Sequence, residues 1–132
     1  MKDLDQLKLP GDQYLIWGSG PMAVREMRPA RDVDILVSPK YWECLAQKYS
    51  VQGEKKNLIR IGVLEIWKDC RDLSFKIEEM LKDKDVIDGY SFMKLCYTIE
   101  WKKLWNRQKD REDILRIENF LKYSLMGEGL VQ

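Results

Sequence analysis

The sequence contains no histidine. That excludes Ser-His and Cys-His catalysis and every histidine metal site, and it leaves acid–base work to carboxylates, Lys, Tyr or Cys. Cysteine is scarce as well. Cys44, Cys70 and Cys96 cannot all pair within one chain, and their spacing matches no zinc or redox motif, so free thiols in a cytoplasmic setting are expected. No apolar run approaches the ~20 residues that span a bilayer, so no membrane partner is expected. The opening stretch, MKDLDQLKLPGDQ, is acidic and broken by Pro10-Gly11, unlike a signal peptide. One-sided charge is missing too. With 23 Lys+Arg against 22 Asp+Glu the formal net charge is +1, so no strong overall field draws the chain to nucleic acid.

What is present is the composition of a globular domain: 132 residues, 45% hydrophobic and 34% charged. Tyr14-Leu15-Ile16-Trp17 predicts a buried strand that ends in the turn Gly18-Ser19-Gly20-Pro21. Residues 21–28 suit a short helix stopped before Pro29. Residues 32–37 predict a strand, apolar apart from two aspartates. Ser38-Pro39 opens a helix to about Tyr49, with Ser38 as its cap and Trp42, Leu45 and Ala46 buried. Residues 58–67 predict strand structure bent at Gly62, and residues 73–82 an amphipathic helix carrying Leu73, Ile77, Met80 and Leu81. Residues 86–90 suit a short strand or extended turn. Ser91 is the expected cap of a helix to about Trp105, and Asp110 that of a last helix to about Leu125. This order predicts one α/β or α+β domain, with a mixed-sheet core over about 12–90 and a helical part over about 91–125.

The chemistry centres on Asp32-x-Asp34. Residues two apart on a strand share a face, so the two carboxylates project side by side and repel. A divalent cation relieves that repulsion, and Mg²⁺ (or Mn²⁺) prefers oxygen ligands. Gly18-Ser19 ends the preceding strand, with twelve residues between Ser19 and Asp32, and its turn offers backbone N–H groups to phosphate.

Gly18-Ser19 followed by Asp32-Val33-Asp34-Ile35 resembles the signature of the nucleotidyltransferase superfamily. The stretch 24–37 is similar to small stand-alone bacterial members, which often carry Arg near the position of Arg28. Downstream, Lys102, Arg107, Lys109, Asp110 and Asp113 resemble the helical tail of abortive-infection-type and lincosamide-type nucleotidyltransferases, and the Asp88-Gly89 turn fits that pattern. The two matches cover residues 14–38 and 86–121.

The resemblance implies a minimal nucleotidyltransferase fold and transfer of a nucleoside monophosphate from an NTP, with ATP expected, to a hydroxyl or similar acceptor. In that scheme Asp32 and Asp34 hold the metal, Gly18 and Ser19 cradle phosphate, and Arg28, Lys102 and Lys109 bind nucleotide. The family's third carboxylate, usually Asp, falls on Glu65, with Asp69 as the fallback; the departure leaves the acceptor-activating base open. For Asp110 and Asp113, helix capping is a sufficient explanation. Lys102 stands between cleft-facing and surface readings, and Trp17, Trp42, Trp67, Trp101 and Trp105 read as core or cleft wall rather than as base-stacking platforms. A second reading is a catalytically weak nucleotide-binding protein, such as a toxin–antitoxin component with an antitoxin-like partner. A third places the site between the subunits of a homodimer. The acceptor and the base preference are not legible.

Overall fold

The computed structural model describes residues 2–70 and 75–131, with side chains as far as residue 124. The elements in chain order are α1 (Lys2–Leu7), β1 (Tyr14–Trp17), α2 (Gly20–Ala23), β2 (Val33–Val37), α3 (Pro39–Lys48), β3 (Leu58–Ile61), β4 (Leu64–Trp67), α4 (Ile77–Lys82), β5 (Asp85–Ile87), β6 (Tyr90–Phe92), α5 (Leu95–Trp105) and α6 (Gln108–Val131). The strands form one sheet in the order β3-β4-β2-β1-β6-β5. β1 runs antiparallel to β2 and parallel to β6, while β2 runs parallel to β4. Mixed pairing with helices on both faces makes this an α+β fold, as the sequence predicts. No helix among the described residues is long and apolar enough to cross a membrane.

β1 is central, and all four of its residues are buried, which is why it reads as an unbroken apolar run. One face of the sheet packs Ile16, Ile35, Val37 and Ile66 against Leu4 of α1 and Trp42 and Leu45 of α3. The other packs Leu15, Trp17 and Leu36 against Met80 and Leu81 of α4 and Trp101 of α5. A third cluster, Met22, Leu95 and Ile117, joins α2, α5 and α6.

Several boundaries differ from the sequence expectation. β2 begins at Val33, so Asp32 lies exposed in the bend before the strand. The expected helix over 21–28 shrinks to the four residues of α2. α1 was not foreseen; it is a helix of only six residues pinned from outside, with Asp3 Oδ2 accepting the Val63 N–H at 3.0 Å and Asp5 accepting the Tyr90 hydroxyl at 2.7 Å. Ser38 holds the cap position of α3, but its hydroxyl donates to Gln13 rather than to the helix. Ser91 does not cap a helix. It is buried in β6, and α5 starts four residues later, after Lys94 at the cap. The Asp88-Gly89 pair explains the shift: both residues have positive φ, +53° and +83°, the backbone of a two-residue hairpin turn, and this pairs β5 with β6. α4 starts at Ile77, and Leu73, expected at its beginning, lies outside the described residues. α6 runs from Gln108 to Val131, longer at both ends than expected.

Candidate functional site

Strand register sets four side chains in one row across the sheet. Trp17 stands opposite Asp34, Asp34 beside Glu65, and Glu65 opposite Arg60. The alternation of each strand puts this row on the face that also carries Leu15 and Leu36. Trp67, two residues after Glu65, shares that face, and its Nε1–H donates to Asp34 Oδ1 at 3.0 Å. The other oxygen, Oδ2, faces the backbone of Gly18. A Cβ at Gly18 would stand 2.7 Å from it, and Gly18 has φ +66°, so only glycine meets both the backbone conformation and the approach.

Glu65 shares a hydrogen bond with Asp34. Its carboxyl is pushed up to about 7, chiefly by burial, then by that hydrogen bond and by the negative charges of Asp34 and Asp32. The Arg60 guanidinium, 3.5 Å from Glu65 Oε1 and largely solvent-exposed, pulls the other way without winning. A carboxyl shifted to this range is matched to proton transfer near neutral pH. Asp69 lies past the end of β4, exposed. Cys70 is buried and its thiol is pushed up to about 11, mainly by that burial, which leaves it protonated and a poor nucleophile. Among the described residues no three His, Cys, Asp or Glu side chains converge as a ready-made cage for a metal ion. The close carboxylates are a pair, with Asp32 contributing its charge from the bend.

Asp34 and Glu65 form the common wall of two cavities. One, of about 370 Å³, is polar and bordered by Ser19, Arg28, Arg31 and Asp32. The other, of about 190 Å³, is walled by the indoles of Trp17, Trp67, Trp101 and Trp105, with Gly18 at its edge. Trp17 meets Trp101 at 5.1 Å and Trp67 at 6.2 Å, both edge to face, and Trp105 leans on Trp101 at 5.4 Å. Gly18 and Ser19 therefore serve different cavities, although they are neighbours in the chain.

No family model matches this chain, and no curated protein matches its sequence.

The downstream basic and acidic residues have a shared structural role. Lys102 does not face either cavity. It is buried, with Nζ 3.0 Å from Asp113 Oδ2 and 3.8 Å from Asp110 Oδ1. Asp110, fully buried, accepts the Arg107 backbone N–H and the Nε–H and Nη2–H of its guanidinium, closing the first turn of α6. Burial pushes the Asp110 carboxyl up, but these Arg107 hydrogen bonds and charges outweigh it and hold it below the ordinary carboxylate value. Arg28 Nη1 bonds the same Asp113 oxygen as Lys102, at 2.7 Å. The tail motif is a clasp between α5 and α6 that also anchors Arg28 at the wall of the polar cavity. Lys109 is exposed on α6, outside both cavities. The Trp67 bond to Asp34 and the place of Arg60 were not read from the sequence, although Trp67 was expected in core or cleft wall and lines the cavity. The parity of Trp67 with Glu65 was the available signal; Arg60 follows only from the β3–β4 register.

Proposed function

We propose that the protein is a metal-dependent nucleotidyltransferase that moves a nucleoside monophosphate from an NTP to an acceptor hydroxyl or similar nucleophile. The observation that carries this reading is the Asp34–Glu65 pair standing as the shared wall of a cation-bordered polar cavity and an apolar one. Phosphoryl transfer needs carboxylates at the junction between bound phosphate and a second molecular part. The triphosphate lies against Ser19, Arg28 and Arg31, where the guanidinium of Arg28 is held in place by Asp113. The acceptor O–H attacks the α-phosphorus, its proton passes to Glu65, and the bond to the β-phosphate breaks to release pyrophosphate.

The donor set fits Mg²⁺ or Mn²⁺: Asp34 and Glu65 are adjacent and Asp32 is close enough for its charge to act on Glu65, while water supplies the rest of the shell. Asp34 and Glu65 would hold the ion, with Asp32 adding negative charge from the bend, and the chemistry it would supply is to neutralise charge building on the phosphates. Trp67 and the close backbone of Gly18 keep Asp34 oriented, a role like that of other residues that fix a ligating carboxylate.

Isothermal titration with ATP, with and without Mg²⁺, tests the reading. Wild-type protein should bind ATP at least tenfold more tightly with Mg²⁺, and folded Asp34→Asn should lose that gain. Unchanged Mg²⁺-dependent binding in Asp34→Asn would overturn it. A binding protein with little turnover is the second reading. It is favoured by the burial of Lys102, which withdraws one expected phosphate contact, and by a glutamate at the position where the resemblance expects aspartate. Mg²⁺-dependent binding without pyrophosphate release would decide for it.

A further inference from the structure

The indole-walled cavity has a feature that the transfer reaction does not account for. Trp17 is 6% exposed, and its Nε1 is a buried polar atom with no hydrogen-bond partner among the described residues. A buried indole N–H ordinarily finds an acceptor, and leaving it unmade costs stability. The same ring lines a cavity with Trp67, Trp101 and Trp105, which the charged side chains of Asp34, Glu65, Asp69 and Arg107 also border. Trp67 is half-buried and its own Nε1–H is already committed to Asp34. Trp105 is 40% exposed, and it is steadied by the Arg107 guanidinium 4.6 Å from its ring centre, itself fastened to Asp110. The cavity thus presents aromatic surface and an opening beside the carboxylates, and one of its rings carries an N–H that no described residue satisfies.

We propose that this cavity is the seat of the nucleobase: a flat heteroaromatic ring packs against Trp67 and Trp105, over the ring of Trp17. The proposal rests on the nucleotide reading above and adds where the base goes and which residues hold it. Size agrees. At about 190 Å³ the cavity exceeds the ~150 Å³ apolar cavity that admits a benzene ring. Position agrees as well, because Asp34 and Glu65 separate this cavity from the polar one, so a nucleotide with its base here lays its phosphates across the pair toward Ser19 and Arg28. A neutral ring carries no charge to conflict with a cation held at those carboxylates. Every nucleobase has a stacking face, so the seat tolerates all four and selects weakly among them.

The experiment uses the full chain without metal. Adenosine, cytidine, guanosine and uridine are titrated against ¹⁵N-labelled protein, and the indole Nε1–H resonances of its five tryptophans are followed. The Trp17 signal, identified by its loss in Trp17→Phe, should move with each nucleoside. That of Trp42, packed on the opposite face of the sheet, should not. Trp105→Ala should weaken nucleoside binding about tenfold. Ribose 5-triphosphate, which lacks a base, should leave the Trp17 signal in place. A still Trp17 signal, a Trp105→Ala protein that binds nucleosides like wild type, or an equal response to the base-free triphosphate overturns the proposal. Nucleosides that bind in this way to a protein showing no Mg²⁺-dependent gain for ATP would leave the base seat standing and remove the transferase reading. The reverse pattern would do the opposite.

Discussion

Glu65 keeps its proton to about pH 7, where an ordinary glutamate has lost it near 4.5. The folded state therefore binds that proton more tightly than the unfolded chain. The stabilisation is complete below about pH 4.5 and is lost as pH rises toward 7. Urea unfolding of metal-free protein should show stability falling across that window. Glu65→Gln, which mimics the protonated form, should flatten the fall and be the more stable protein at pH 8, by up to about 3 kcal/mol. Parallel pH profiles for the two proteins would mean that the Asp34–Glu65 contact does not carry the shift. At this scale the sequence had shown the acid residues but not their coupling. Asp34 and Glu65 lie on strands that pair only through the β2–β4 crossover, and Trp67 reaches Asp34 only because that register holds. Asp32, read as the other half of a same-face strand pair, falls in the bend instead, so the adjacent carboxylates are Asp34 and Glu65.

Between elements, the decisive contact is the clasp of α5, α6 and the segment after α2. Lys102 and Asp113 are 4% and 2% exposed, and removing one partner of such a buried pair strands the other charge. Asp113→Ala should cost about 3 kcal/mol of stability. The double change Lys102→Met with Asp113→Leu should recover part of that loss, because it removes both charges and restores apolar packing. Thermal unfolding of the three proteins checks this; a double variant less stable than Asp113→Ala would contradict the assignment. The motif was visible in the sequence and its helical setting was expected. Its direction was not, since Arg28 and Asp113 are 85 residues apart and nothing local reports that they meet.

Across the whole molecule, α5 is the connector. Trp101 on one side of it packs with Leu15 and Leu36 of the sheet, and Leu95 packs with Met22 and with Ile117 of α6. Sheet and helical part should therefore unfold together. Ile117→Ala, at a fully buried site, should lower the stability of the entire fold by about 3 kcal/mol, with far-UV and tryptophan signals still coinciding. Separate transitions would mean that α6 is an independent unit. Much of this architecture was legible beforehand. The apolar run of β1, the Ser-Pro start of α3, the bend at Gly62 and the Asp-Gly turn each follow from local propensity and backbone sterics, which act within a few residues. Lys102 as a buried ion, the cavity walled by four tryptophans and the hydrogen bond shared by Asp34 and Glu65 do not. Each depends on which surfaces the fold removes from water and which distant side chains it brings together there. Burial and charge pairing are properties of the tertiary structure, so only the folded chain could decide them.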